Sequence, residues 1–147
     1  MTGALFRCIM EEKTGGASMD KLATWVALLV CILIIPAAMI GCGLLFMKKP
    51  PKKVNGFYGY RTSRSMKNQD TWDFAQQHMG KVWWKWGWIM LPPVVLVQAL
   101  TLLCPDTESM SIWVLVLMAA ELAVLMAAIS PVERALKQNF DGNGNKL

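Results

Sequence analysis

The residues of this chain whose types and spacing could do chemistry are Asn55, Tyr58, Gly59, Tyr60, Arg61, Thr62 and Ser65, with Trp72 a little further on. Arg61 offers a planar fork of five donors, suited to a carboxylate, a phosphate or several carbonyls. Asn55-Gly56 and Tyr58-Gly59-Tyr60 supply turn-competent backbone, because glycine takes positive φ without steric cost. Thr62, Ser63 and Ser65 add hydroxyls. These residues are expected to form one hydrogen-bonded platform that engages a lipid headgroup, a membrane-inserted toxin peptide or a cytosolic partner. The neighbouring Lys48, Lys49, Lys52 and Lys53 are explained by attraction to anionic lipid, about 1 kcal/mol each. That attraction does not explain turn glycines and paired tyrosines around one arginine.

Other polar groups suggest less chemistry. Glu121 lies in an apolar stretch, where a carboxylate costs several kcal/mol and therefore faces the protein interior or a water path. Two readings stay open: a proton-responsive or polar-ligand group, or an interhelical hydrogen bond to Gln98 or to backbone freed by Pro92-Pro93. Asp70 and Asp73 are the clustered acids near His78, the one histidine. Asp73 and His78 are five apart, a poor spacing for one helix face, and Asp70 reads as a helix cap. No catalytic residues are expected, and enzyme activity ranks last. Cys8, Cys31, Cys42 and Cys104 form no paired motif, so neither a metal nor a cofactor is expected. Asp141-Gly142-Asn143-Gly144-Asn145 begins like a calcium loop but lacks the following glycine and the distant glutamate. It reads as a frayed tail.

The elements that position these groups follow from composition. Hydrophobic residues make up 54% of the chain and charged ones 17%, against about a quarter charged in soluble domains. No charge occurs in residues 22–47 or 86–105, and residues 112–129 carry Glu121 alone. A bilayer core of about 30 Å needs roughly 20 apolar residues as helix, so three spans fit, at about 22–47, 83–104 and 111–130. The first is too long for a cleaved signal peptide and has Lys48-Lys49 behind it as a stop-transfer signal. Residues 48–67 and Lys81 supply eight basic residues between spans one and two, against Asp70 and Asp73. The second connection has none. Basic loops stay cytoplasmic, which puts the N-terminus outside and the motif loop and C-terminus inside. The net charge of +5 is thus a topology signal, not a footprint for nucleic acid.

Within this frame, residues 1–20 read as a flexible segment, 21–131 as the membrane domain with its motif loop at 48–82, and 132–147 as a cytoplasmic tail. Pro36 and Gly41-Cys42-Gly43 suggest a kink or a close helix approach in span one. Trp83-Trp84-Lys85-Trp86-Gly87-Trp88 marks the headgroup level, and Pro92-Pro93 should bend span two. Trp72, Ala75, Met79 and Val82 recur at helical spacing, which predicts an interfacial amphipathic helix running into span two. Ser130-Pro131 should stop span three. The fold class is an all-α integral membrane protein.

The order Asn55…Gly59-Tyr60-Arg61-Thr62…Ser65…Trp72…Ala75…Gly80, set between hydrophobic spans, resembles the SdpI-like membrane proteins. As motif the resemblance covers about a third of the chain. Longer members add further spans and an upstream domain, not found in these 147 residues. The resemblance implies a small multi-span protein that gives immunity to a membrane-active killing peptide. Its implied partners are the bilayer, the peptide toxin or a cytosolic repressor-like protein. The alternative class is an oligomeric transporter, channel or accessory subunit using Glu121, since three spans make a path only as a homo-oligomer.

Overall fold

A computed structural model describes residues 2–103 and 106–147, with side chains from Met19 onward. The readings of Cys104 and of the Cys8 side chain lie outside the described residues. The described residues form four α-helices: α1 (Thr2–Lys48), α2 (Gln69–Leu100, followed by a 3-10 turn at Thr101–Leu103), α3 (Thr107–Ala127) and α4 (Ile129–Asn139). Among the described residues, three helical segments are long and apolar enough to cross a membrane: Met19–Lys48, Gln69–Leu103 and Thr107–Asn139. The chain is therefore an all-α, multi-pass membrane protein. Much of the apolar surface is uncovered, including Val30, Ile34, Leu96, Leu115 and Val116. Such residues would be anomalous in water but are ordinary against lipid.

Glycine sets the main packing. α1 and α2 cross so closely that a Cβ on Gly43 would lie 2.6 Å from the Trp84 backbone nitrogen and 2.9 Å from the Gly80 carbonyl oxygen. A Cβ on Gly87, two turns above Gly80, would lie 3.2 Å from the Pro36 carbonyl. In lipid no hydrophobic force drives helices together, so small residues that let backbones meet do that work. The glycine cluster of span one thus produces the close approach expected of it. Gly41 faces open space. Gly80 marks the crossing, its Cβ position 2.9 Å from the Gly43 carbonyl oxygen.

Four expectations change. Residues 2–18, including the glycine-rich stretch expected to be flexible, continue the backbone of α1; lengthening an existing helix needs no new nucleus. The helix expected before span two is present and runs into it, but its apolar face is covered by the protein itself. α2 is continuous from Gln69 through Pro92-Pro93, and its Trp72, Ala75 and Met79 are buried within the protein rather than in headgroups. Ser130-Pro131 does not end the helical path. Pro131 sits in the first turn of α4, where its missing N–H has no partner to lose, and α4 carries Val132, Leu136 and Phe140 onto Tyr60, Ala75 and Met79.

The tail is not frayed either. Asp141 accepts from the backbone of Asn143 and Asn145, both at 2.8 Å, and from the Asn145 side chain at 3.0 Å. These bonds hold its carboxyl below the usual range. Gly144, at φ +90°, turns the chain back so that Phe140 pairs with Lys146.

Candidate functional site

Residues 50–65 form a strap between α1 and α2, tied down by hydrogen bonds at Pro51, Lys52, Asn55, Tyr60, Thr62 and Ser65. The buried indole of Trp72 donates to the Pro51 carbonyl at 2.8 Å, and Gln69 donates to Lys52 at 2.8 Å. Asn55 accepts from the backbone of Phe57 at 3.0 Å and of Tyr58 at 3.1 Å, and it donates to Lys53 at 3.0 Å. This Asx turn makes a tip on which Phe57 is 95% exposed and Tyr58 57% exposed. Gly59 follows at φ +109°, with space for a Cβ only 2.8 Å from Gln76 Oε1. Both conditions require glycine there.

Tyr60 is the centre of the site. Its N–H donates to Gln76 Oε1 at 2.7 Å, and its carbonyl accepts from Gln76 Nε2 at 2.8 Å. The same carbonyl accepts from Ser65 Oγ at 3.0 Å, while Ser65 Oγ accepts from the Thr62 N–H at 2.8 Å. The ring is buried against α4, and its hydroxyl donates to Glu133 Oε1 at 2.9 Å. Burial, then the hydrogen bond and charge of Glu133, push the phenol well above its ordinary range. Arg64 lies 3.9 Å from the other Glu133 oxygen. Asn68 caps α2 by accepting from the Thr71 N–H at 2.9 Å, and its own backbone N–H donates to Thr71 Oγ1 at 3.1 Å, a reciprocal capping box. Its remaining amide donates to the Gly144 carbonyl at 2.7 Å.

The structure thus brings Gly59, Tyr60, Thr62, Ser65 and Trp72 into one network and puts Asn55 and Tyr58 on an adjoining tip. Arg61 does not join the network. It is exposed, with no hydrogen-bond or ion-pair partner among the described residues, at the mouth of a cavity of about 530 Å³. The cavity walls are Cys42 and Phe46 of α1, Met79 and Trp83 of α2, and Leu125 and Ile129 at the junction of α3 and α4.

Gln76 and Glu133, which hold Tyr60, were not among the expected site residues. Gln76 shares the helical face of Trp72, Ala75 and Met79, and a polar residue at a core position is the signal that marks it. Glu133 had no comparable signal, because α4 was read as tail.

The intramembrane pair does not form. Gln98 is fully buried against α1, where its Nε2 donates to the Trp25 backbone carbonyl at 3.2 Å and its own backbone carbonyl accepts from Trp25 Nε1 at 2.9 Å. Gln98 lies two residues from the end of α2, whereas Glu121 lies fourteen residues into α3, about 21 Å along the axis. Both Glu121 oxygens are buried without a partner among the described residues, beside Pro93 and Val94. Asp73 accepts from Gln69, and His78 stacks on Phe74 at 5.5 Å, so neither serves the other.

A profile of the SdpI/YfhL protein family matches residues 52–131, more than half the chain. A stretch of 40 residues is 48% identical to a protein of Bacillus subtilis (strain 168) named "Uncharacterized protein YfhL". That stretch is 27% of this chain and 36% of the relative. No solved structure matches.

Proposed function

Because the chain belongs to the SdpI/YfhL protein family, we propose that it is a binding module at the inner membrane face. It protects the cell from a membrane-active peptide toxin or docks a cytosolic partner. The supporting observation is the tip: Asn55 holds Phe57 and Tyr58 outward, beside Lys52 and Lys53, while Tyr60, Thr62, Ser65 and Trp72 are engaged within the protein. An aromatic pair on a fixed backbone loses little conformational freedom when it docks. The basic strap supports an orientation with the motif loop and C-terminus cytoplasmic and the N-terminus outside.

Expression in a peptide-sensitive cell tests this reading. The Phe57→Ser/Tyr58→Ser double variant should lose protection while keeping its membrane level. Full protection by that variant would remove the tip from the function. The unpartnered Glu121 carboxyl favours one other reading, an oligomeric transporter or accessory subunit. In that case Glu121→Gln, not the tip variant, should abolish activity.

A further inference from the structure

We propose that the cavity behind Arg61 seats one anionic phospholipid of the inner leaflet, its headgroup on Arg61 and an acyl chain between α1, α2 and the α3–α4 junction. The inference is separate from the tip, because none of the cavity walls belongs to residues 55–58. Three observations support it.

The first is the distribution of polarity. The cavity is apolar along its length, and its one charged lining residue is Arg61. The neighbouring Tyr60, Thr62 and Ser65 bond within the protein, whereas the Arg61 guanidinium has no counter-charge among the described residues. A single cation at the end of an apolar channel complements an amphiphile with one anionic head. A guanidinium also matches a phosphate with two parallel hydrogen bonds.

The second is location. Phe46 lies two residues before Lys48, where α1 leaves the apolar region, so the mouth stands at headgroup level with Lys48 and Lys49 beside it. The opposite rim includes Met126, 65% exposed on a membrane-crossing helix. A chain can therefore enter sideways from the bilayer.

The third is what the walls lack. A peptide segment in the channel would need partners for each backbone N–H and C=O, since lipid supplies none. Beyond the strap itself, the helical walls offer an occupant little to bond: Phe46, Met79, Leu125 and Ile129 are apolar, and the indole N–H of Trp83 is covered by protein rather than open to the channel. A glycerolipid keeps its few polar groups at its head. A hydrocarbon chain needs nothing more.

Native mass spectrometry of the full chain in detergent, titrated with dioleoyl-phosphatidylglycerol or dioleoyl-phosphatidylcholine, tests the proposal. The wild type should retain a single phosphatidylglycerol, preferred over phosphatidylcholine by about fivefold or more, the ratio one cation near a headgroup supplies. Arg61→Gln should erase the preference, and Arg61→Lys should keep part of it. Arg61 makes no internal bond, so folding is not at stake. Met126→Trp, which fills the channel from its exposed rim, should weaken retention of both lipids. Equal retention of the two lipids by wild type, or an unchanged preference in Arg61→Gln, would overturn the headgroup contact. Undiminished retention in Met126→Trp would overturn the acyl seat.

Discussion

The side-chain amide of Gln76 does for Tyr60 what a neighbouring strand would do, offering one acceptor and one donor to the same residue's backbone. Replacing it with leucine leaves the buried Tyr60 N–H without a partner, and such a group costs about 1–3 kcal/mol. Gln76→Leu should lower the thermal midpoint in detergent by the corresponding amount. The surface change Gln77→Ala, one residue on, should do nothing. Tyr60 adds a pH dependence. Its phenol is raised above its ordinary 10.0 in the folded protein, so the neutral form is favoured by folding. The resulting stability is fully present below about pH 10 and is lost as pH rises toward the folded value. The stability gap between wild type and Tyr60→Phe should therefore hold steady below about pH 10 and narrow above it. A gap that stays constant under alkaline conditions would contradict the Tyr60–Glu133 contact. At this scale the sequence was half legible. The motif residues announced themselves by type, but their roles did not: Arg61 looked central because its donors are many, whereas the network is centred on Tyr60 through Gln76.

Among elements, the α1–α2 crossing carries the sharpest contrast. Gly80→Ala places a methyl 2.9 Å from the Gly43 carbonyl and 3.0 Å from the Met47 backbone nitrogen, while Gly41→Ala meets nothing within 4 Å. The first should destabilise by about 1–3 kcal/mol, the usual cost of overpacking. The second should be neutral, and thermal melts of the two variants side by side decide the matter. Equal melts would mean that the helices do not cross on these glycines. α4 invites a second test. Phe140 is 5% exposed and packs edge-on to Phe74 at 5.4 Å. Phe140→Ala should cost about 3 kcal/mol and expose the Tyr60 ring to solvent, seen as faster proteolysis of the strap. The three spans were readable because a bilayer imposes length and apolarity directly on sequence. α4 was not, since Ser130-Pro131 looks the same whether a helix stops there or starts again.

For the whole molecule, the charge asymmetry of the connections implies an orientation that single cysteines can check. Ser109→Cys should react with an impermeant maleimide on intact cells, and Ser63→Cys should react only after lysis; the reverse pattern would invert the protein in the membrane. The arrangement of polar groups at the two ends differs as well. At one end, Trp25 and Gln98 clasp α1 to α2 by two bonds; at the other, strap, cap and α4 form a continuous network. That network closes through the Asn68 amide, which caps α2 and also holds the Gly144 carbonyl. The motif strap is translated after α1, and α2 supplies its first partners, Gln69, Trp72 and Gln76, but Glu133 and Gly144 follow much later in the chain. A chain released early by the ribosome would insert its helices with the strap held on α2 alone. Full closure of the site thus doubles as a record that synthesis has passed residue 144, and an incomplete copy would be more open to proteolysis at its most exposed loop.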